Sequence, residues 1–119
     1  MTARRNRFHG RASIQRLYKN GASARSGLLA LRYVYNPRRD SYRLAVVVSR
    51  KVSKSAVVRN RIRRRIYERV RILYSSSLKP YDLAVLVYDE KVAAMPPKEL
   101  DRELNKLFQK AKLAATDTN

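Results

Sequence analysis

Arginine side chains are concentrated in one short stretch near the middle of the chain. Five of the seven residues from Arg59 to Arg65 are arginine. The planar guanidinium group presents a fork of N–H donors that matches two phosphate oxygens, so arginine favours bidentate phosphate contact more than lysine does. Glu68 is the only acid between Arg50 and Arg71, so we expect no neutralisation of these arginines inside the chain. The stretch therefore predicts a surface for an external polyanion, and nucleic acid fits best.

An apolar stripe in the same stretch predicts how the arginines are displayed. Four apolar residues recur every four positions, as on one face of an amphipathic helix: Val58, Ile62, Ile66 and Val70. At about 100° per residue, Asn60 and Arg64 point away from that stripe. Ser55 is expected to cap the first turn, because its hydroxyl can accept from a backbone amide there. A merely solvated helix face is the alternative, but it would place glutamates among arginines that repel each other.

The positive charge lies in the first two thirds of the chain. Residues 1–39 hold ten bases and no acid, residues 40–79 hold twelve bases and two acids, and residues 80–119 hold six bases and seven acids. The chain has 119 residues, which is enough for one domain with a single core. We therefore expect a binding surface built from the first two thirds and a scaffold built from the last third.

Side chains that could perform catalysis or hold a metal ion are scarce. His9 is the only histidine, and Asp40 and Glu68 are the only acids among the first eighty residues. Metal-dependent nucleases need clustered carboxylates, so we expect no catalytic residue, no metal site and no cofactor held by the protein. The chain has no cysteine, which suits a reducing compartment, and its apolar runs are too short for a membrane span. We therefore expect a cytoplasmic protein with no membrane partner.

The remaining pattern predicts the elements that position the arginine-rich helix. The predicted order is α-β-β-α-β-α, an α+β fold of the two-layer sandwich type. The first two strands, separated by a turn at Asn36-Pro37, are expected to form an antiparallel hairpin. A single domain should cover residues 1–113, with a basic arm at 1–11 and a frayed tail at 114–119. The other predicted elements are a helix from Ser13 to Asn20 closed by Gly21, strands at Leu28–Asn36, Tyr42–Ser49 and Asp82–Tyr88, and a last helix that begins near Pro97.

Alternation along the first two strands predicts which sheet face is buried. The buried set should be Leu29, Leu31, Tyr33 and Tyr35 with Leu44, Val46 and Val48. The less buried set should be Leu28, Ala30, Arg32 and Val34 with Arg43, Ala45 and Val47. Phe8, Tyr18 and the Arg32 face could form an apolar and basic groove on which single-stranded bases stack. From the pattern alone, ordinary core aromatics explain these residues equally well.

The arginine stretch resembles the signature of the bacterial ribonuclease P protein subunit. The resemblance rests on Arg59-Asn60-Arg61 followed by Ile62-Arg63-Arg64, and on the preceding Ser49-Arg50-Lys51-Val52 and Ala56-Val57-Val58. It extends to Arg5-Asn6-Arg7-Phe8, Ile14, Tyr18 and Gly21, and so covers nearly the whole chain to about Leu113. The chain departs from the family pattern at Ser53, where glycine is usual, and at Ile14, where phenylalanine is usual.

This resemblance implies an RNA-binding accessory subunit of a ribonucleoprotein endonuclease that removes the 5′ leader from precursor transfer RNA. The catalytic RNA and its bound Mg²⁺ would perform the hydrolysis, and the crossover through the arginine-rich helix would be left-handed. The expected partners are that RNA and precursor transfer RNA, with no obligatory protein partner. Contacts to the catalytic RNA are expected from Arg50, Lys51, Lys54, Arg59, Asn60, Arg61, Arg63, Arg64 and Arg65. Contacts to the leader are expected from Phe8, Ile14, Tyr18, Arg32, Arg43 and Val47. The alternative is a small basic ribosome-associated or general RNA-binding protein without a processing role.

Overall fold

A four-stranded mixed sheet organises the computed structural model, which describes residues 15, 17–19, 21–74 and 80–111. The spatial order of the strands is β1-β2-β4-β3. The strands are β1 (Ala22–Arg25), β2 (Leu29–Tyr35), β3 (Arg43–Val48) and β4 (Tyr81–Val87). The predicted basic arm, the predicted tail and the candidate site residues Phe8 and Ile14 lie outside the described residues.

The predicted hairpin between the second and third strands is wrong. Strand β4 lies between β2 and β3, antiparallel to β2 and parallel to β3. The physical reason is burial: the apolar run from Leu83 to Val87 is suited to a central position with both faces covered, whereas a hairpin would leave it at an edge. The loop between β2 and β3 therefore leads away across the sheet instead of making a tight turn between neighbours.

The sequence pattern also missed β1, so the predicted element order lacks one strand. This four-residue strand pairs antiparallel with β2, and its Ala22 and Ser23 have low strand propensity. It follows a helical segment at residues 15 and 17–19, which ends where the Gly21 amide donates to the Leu17 carbonyl at 2.8 Å. A Cβ atom at Gly21 would lie 2.5 Å from that carbonyl oxygen, so the predicted role of Gly21 in closing the helix has a steric basis.

The arginine helix, Ala56–Tyr74, connects the parallel strands β3 and β4. Its buried residues are Ile62, Ile66, Val70 and Tyr74, in agreement with the predicted stripe, and Val58 packs partly buried against the same core. The Ser55 hydroxyl accepts from the Val58 amide at 3.2 Å, which confirms the predicted cap. The left-handed sense of the crossover stays a prediction.

The carboxyl-terminal helix, Pro97–Lys110, completes the layer that covers one sheet face. It buries Leu100, Leu104, Leu107 and Phe108, and follows a 3₁₀ helix at Glu90–Ala93. The Phe108 ring stacks on Tyr74 of the arginine helix with centroids 4.3 Å apart, so the two helices pack on each other as well as on the sheet. No helix in the described part of the chain combines the length and apolar character needed to cross a membrane.

The two sheet faces differ in cover as the alternation predicted, with two exceptions: Tyr35, expected to be buried, is 53% exposed because it ends its strand, and Ala45, expected to be less buried, is covered by Leu17. Leu29, Leu31 and Leu44 are fully buried beneath the helical layer. On the opposite face the described residues form a small cluster, in which Leu17 packs on Ala45 and Ala84. Beside Tyr18, the side chains of Ala30, Arg32 and Leu86 on this face are only partly buried.

Candidate nucleic-acid interface

The outward side of the arginine helix and the segment before it form a basic surface. We define the basic surface as the exposed side chains of Arg50, Lys51, Lys54, Asn60, Arg61 and Arg64. Arg50 and Lys51 lie in the turn after β3, where the Val52 amide donates to the Ser49 carbonyl at 3.1 Å. The basic surface thus joins the end of one strand to the first three turns of the helix, and it contains only positive and neutral groups.

Two of the arginines predicted to contact the catalytic RNA donate hydrogen bonds within the arginine helix or to the turn that precedes it. Arg59 Nη1 donates to the Ser53 carbonyl at 2.9 Å, which ties the helix to the turn that precedes it. Arg63 Nη1 donates to Asn60 Oδ1 at 2.7 Å. Because the amide oxygen of Asn60 is used in this way, its NH₂ group is directed to outside acceptors. Each guanidinium has five N–H donors, so both arginines keep donors for a ligand.

Arg65 is engaged differently from the other predicted arginines. Its Nη1 donates to the Val92 carbonyl at 2.6 Å, and its Nη2 donates to the Met95 carbonyl. Both acceptors lie in the connection between β4 and the carboxyl-terminal helix. The structure thus places Arg65 as a clamp that holds this connection against the arginine helix.

We expected no acid of the chain to neutralise the arginines between Arg50 and Arg71. Outside the basic surface, this expectation is wrong. Arg69 forms two hydrogen bonds with the Asp101 carboxylate, at 2.8 and 2.7 Å, and Arg71 pairs with Glu68 at 3.1 Å. The Arg71 guanidinium lowers the pKa of the Glu68 carboxyl. The carboxyl-terminal helix supplies Asp101 from a distance in sequence that a local pattern cannot show. Positive charge is therefore neutralised along the later turns, whereas along the first turns no acid among the described residues forms an ion pair with it.

A groove of about 780 Å³ lies on the less covered sheet face, beside the amino-terminal helical segment. The Arg32 guanidinium donates to the Tyr18 carbonyl at 2.9 Å, and its Cζ lies 5.4 Å from the centroid of the Tyr18 ring. The structure thus brings together two residues that were predicted to share a groove. Among the described residues, the groove is lined by Tyr18, Ser23, Ala24, Arg25, Ala30, Leu31, Arg32, Leu86 and Tyr88.

Sequence reasoning missed Arg25 and Tyr88, which form the far side of the groove. Arg25 Cζ lies 4.4 Å from the centroid of the Tyr88 ring, and Tyr88 is 47% exposed. Alternation from Leu86 would have placed Tyr88 on this face, but Arg25 could be found only by recognising β1. The groove therefore carries two tyrosine–arginine pairs, each with a ring next to a guanidinium.

The Tyr18 hydroxyl remains neutral in this setting. Burial and the neighbouring Tyr88 phenol raise the pKa of Tyr18, and the smaller opposing influence of Arg32 lowers it. An uncharged ring avoids repulsion with phosphate, so Tyr18 can stack on a base while the guanidinium of Arg32 or Arg25 meets the phosphate charge.

A second, smaller depression of about 270 Å³ continues from the groove toward the basic surface. It shares Leu86 and Tyr88 with the groove and is also lined by Val47 and Lys51. Val47, which was predicted as a leader contact, lies here, next to a lysine of the basic surface. The groove and the basic surface are therefore adjacent, with Tyr88 between them.

Arg43 lies at the opposite end of the same sheet face. Its guanidinium makes two hydrogen bonds of 2.9 Å with the Asp82 carboxylate, and this bonding raises the pKa of Arg43. Asn36 donates to the same carboxylate at 3.1 Å. Sequence reasoning grouped Arg43 with Tyr18 and Arg32, whereas the structure uses it to neutralise a buried acid at the edge of the face.

Within the described ranges, no group of three or more His, Asp or Glu side chains is arranged to hold a metal ion. The groups that meet at the groove and the basic surface are guanidinium, ammonium, amide and phenol. These groups bind anions and stack on bases.

The fold and this surface define a class: a small α+β RNA-binding domain. A model of the protein family described as Ribonuclease P matches residues 2–112. The ribonuclease P protein component of Clostridium kluyveri is 38% identical over 109 residues, which cover 90% of this chain and 95% of that protein. The corresponding protein of Chloroflexus aggregans is 34% identical over 113 residues, which cover 95% of this chain and 82% of that protein. The chain therefore belongs to the ribonuclease P protein family.

Solved structures agree with this assignment. The RNase P protein of Staphylococcus aureus superposes with a TM-score of 0.81 at 28% identity, over 92% of this chain and 97% of that one. The RNase P protein of Thermotoga maritima, 24% identical, gives a TM-score of 0.74 over 87% and 96% of the two chains and supports the fold. The predicted family and the α+β fold class are confirmed.

Proposed function

We propose that this chain binds the catalytic RNA of ribonuclease P through its basic surface and the 5′ leader of precursor transfer RNA in its groove. Family membership makes the chain the RNA-binding accessory subunit of an endoribonuclease that acts in tRNA 5′ processing. The assignment of one RNA to each surface goes further and is the proposal. We also place this activity in the cytoplasm, without an obligatory protein partner.

The observation that carries the proposal is the uncompensated charge at the start of the arginine helix. Arg61 and Arg64 are exposed, while Arg59 and Arg63 are held by bonds to Ser53 and Asn60. Held guanidinium groups lose little conformational freedom when they meet phosphate, and each phosphate they neutralise releases counterions. A folded RNA with closely spaced phosphates is the ligand that best matches this array.

The groove suits a single strand better than a duplex. Its two tyrosine rings, Tyr18 and Tyr88, offer faces for unstacked bases, and Arg32 and Arg25 lie beside them. Stacking accepts any base, because every base has an aromatic face. This tolerance fits a leader whose sequence differs between substrates, and the neighbouring Lys51 connects the groove to the surface proposed for the catalytic RNA.

We further propose that the chemical step belongs to Mg²⁺ held by the partner RNA. The protein would contribute position and charge: it would hold the leader and reduce repulsion between the two RNAs. Lower repulsion reduces the number of metal ions needed to bring the RNAs together, so the protein should matter most when Mg²⁺ is scarce.

Reconstitution tests this proposal directly. The chain is added to a bacterial ribonuclease P RNA and a precursor transfer RNA at a Mg²⁺ concentration where the RNA alone is slow. We expect faster cleavage at the mature 5′ end, and we expect Arg61→Ala to reduce the stimulation. Arg102→Ala, which removes an exposed arginine from the carboxyl-terminal helix, is the matched control and should leave it unchanged. RNA binding without stimulation would favour the alternative, a general RNA-binding protein.

A further inference from the structure

Three tyrosines form a cluster at one end of the sheet, on the face opposite to the groove. We define the tyrosine cluster as Tyr33, Tyr35 and Tyr81. The rings of Tyr35 and Tyr81 meet edge to face with centroids 5.5 Å apart, and those of Tyr33 and Tyr81 do so at 6.2 Å. In the sheet register, Tyr35 lies opposite Tyr81 on the neighbouring strand, so the backbone fixes the contact.

The cluster combines anchored rings with an open one. Tyr33 and Tyr81 are partly buried against the core, whereas Tyr35 is 53% exposed. An edge-to-face contact leaves aromatic surface uncovered on at least one ring. Tyr35 is thus an open ring held in place by its neighbours, at the last position of β2. Rigid, half-exposed aromatics are the side chains on which single-stranded bases stack.

The turn that follows Tyr35 supplies positive charge in an ordered backbone. The Asn36 amide donates to the Pro80 carbonyl at 2.9 Å, which ties the turn to the start of β4. Asn36 Oδ1 accepts from the Arg38 amide at 3.2 Å. Arg39 is oriented by a bond of 3.4 Å from its Nε to the Ser41 carbonyl. The turn therefore carries two guanidinium groups, three and four residues after the open ring.

Arg38 is the more available of these two groups. Its side chain is exposed and has no hydrogen bond or ion pair with any residue that the structure describes. A surface pocket of about 320 Å³ lies between Arg38, Arg39, Asp40 and Ser41. Asp40 is the one acid in this turn, and the nearest other carboxylate on these strands, Asp82, is already bonded to Arg43 and Asn36. The net charge of the turn is therefore positive.

We propose that Tyr35 and Arg38 form a second single-strand binding site, which accepts one unpaired nucleotide of RNA. The base stacks on the Tyr35 ring, and the guanidinium of Arg38 contacts the adjoining phosphate. This site rests on the proposed function, since its ligand is RNA of the same complex. It is separate from the groove, because Tyr35 and Arg32 project from opposite faces of β2. An RNA segment that passes the end of the sheet would reach it.

The experiment uses the full chain labelled with ¹⁵N and a 5′-phosphorylated pyrimidine tetranucleotide as the probe. Backbone amides of Tyr35, Asn36 and Arg38 report on the second site, and those of Arg25, Leu86 and Tyr88 report on the groove. We expect both sets to shift on titration and to saturate. Tyr35→Ala should weaken the apparent affinity at the second site by about tenfold and change the groove by less than about twofold.

Two further variants separate stacking from folding. Tyr35→Phe keeps the ring and should bind like the parent chain, whereas Arg38→Ala should weaken the second site without altering the melting temperature. Arg102→Ala is the matched charge control and should leave both sets of shifts unchanged. Retained binding at the second site in both Tyr35→Ala and Arg38→Ala would overturn the proposal.

The outcomes distinguish this inference from the proposed function. Shifts in the groove amides alone would overturn the second site and leave the leader groove intact. Shifts in the turn amides alone would support the second site and count against the leader groove. If sedimentation of the RNA-free chain shows a dimer that Tyr35→Ala dissociates, the tyrosine cluster is an interface between copies, and the proposed nucleotide site is wrong.

Discussion

Arg64 and Arg65 are adjacent in sequence, yet the structure assigns them opposite roles, and paired alanine substitutions should reveal this. Arg65 bonds to the carbonyl oxygens of Val92 and Met95, whereas Arg64 is exposed on the basic surface. We predict that Arg65→Ala lowers stability and leaves the salt dependence of RNA binding nearly unchanged. Arg64→Ala should leave stability unchanged and reduce the salt dependence of RNA binding.

The size of the effect follows from the bonds that are lost. Hydrogen bonds to a charged group contribute roughly 1.5–3 kcal/mol each when well buried. Arg65 is only partly buried, so we expect a loss of about 2 kcal/mol for both bonds together, mainly because two carbonyl groups lose their donor. In a domain of this size, that corresponds to a fall in melting temperature of about 8 °C.

Thermal melting and RNA titration at several salt concentrations provide the assay. For Arg64→Ala we expect an unchanged melting temperature and a plot of log K against log salt that is flatter by about one unit. For Arg65→Ala we expect the lower melting temperature and the parental slope. The reasoning is refuted if Arg65→Ala melts like the parent chain and flattens the slope, because Arg65 would then be a phosphate contact and not a clamp.

Three further predictions concern the RNA surfaces and catalysis. Replacing Arg59, Asn60 and Arg61 together by alanine should weaken binding to the catalytic RNA and flatten its salt dependence, while circular dichroism shows that the helix is retained; loss of the helix would contradict this. Tyr18→Ala should reduce affinity for precursor transfer RNA by about fivefold to a hundredfold. The same variant should hardly affect mature transfer RNA, and equal loss for both RNAs together with a much lower melting temperature would make Tyr18 a core residue. Purified RNA-free protein should not cleave precursor transfer RNA with any metal ion added, and reproducible cleavage abolished by one substitution would count against an accessory role.

The features that sequence could predict are those set by local spacing. The recurrence of Ile62, Ile66 and Val70 defines a helix face, because the helical period alone brings such residues together. Ser55 could be identified as the cap because the cap bonds to an amide three residues later. The strand faces followed from alternation in the same way. Each of these predictions needs only the geometry of one element.

The features that sequence missed depend on elements far apart in the chain. Alternation assigns a side chain to a face but does not say which strand lies alongside, so the position of β4 between β2 and β3 was not foreseen. The partners of Arg65 lie 27 and 30 residues away, and the Asp82 partner of Arg43 lies 39 residues away. Residue type alone could not separate these arginines from those of the basic surface.

This division of the arginines explains how one charged helix can serve both stability and binding. Arg65 and Arg69 bond to the loop and helix that follow β4, and these bonds fix the orientation of the arginine helix over the sheet. With that orientation fixed, Lys51, at the entry to the helix, lines the same depression as Tyr88 at the edge of the groove. On the proposed function, the catalytic RNA and the leader are therefore held next to each other by one rigid unit. Replacing Arg65 should then make the distance between the basic surface and the groove less fixed, although Arg65 belongs to neither. Cleavage should therefore fall more than the binding of either RNA alone.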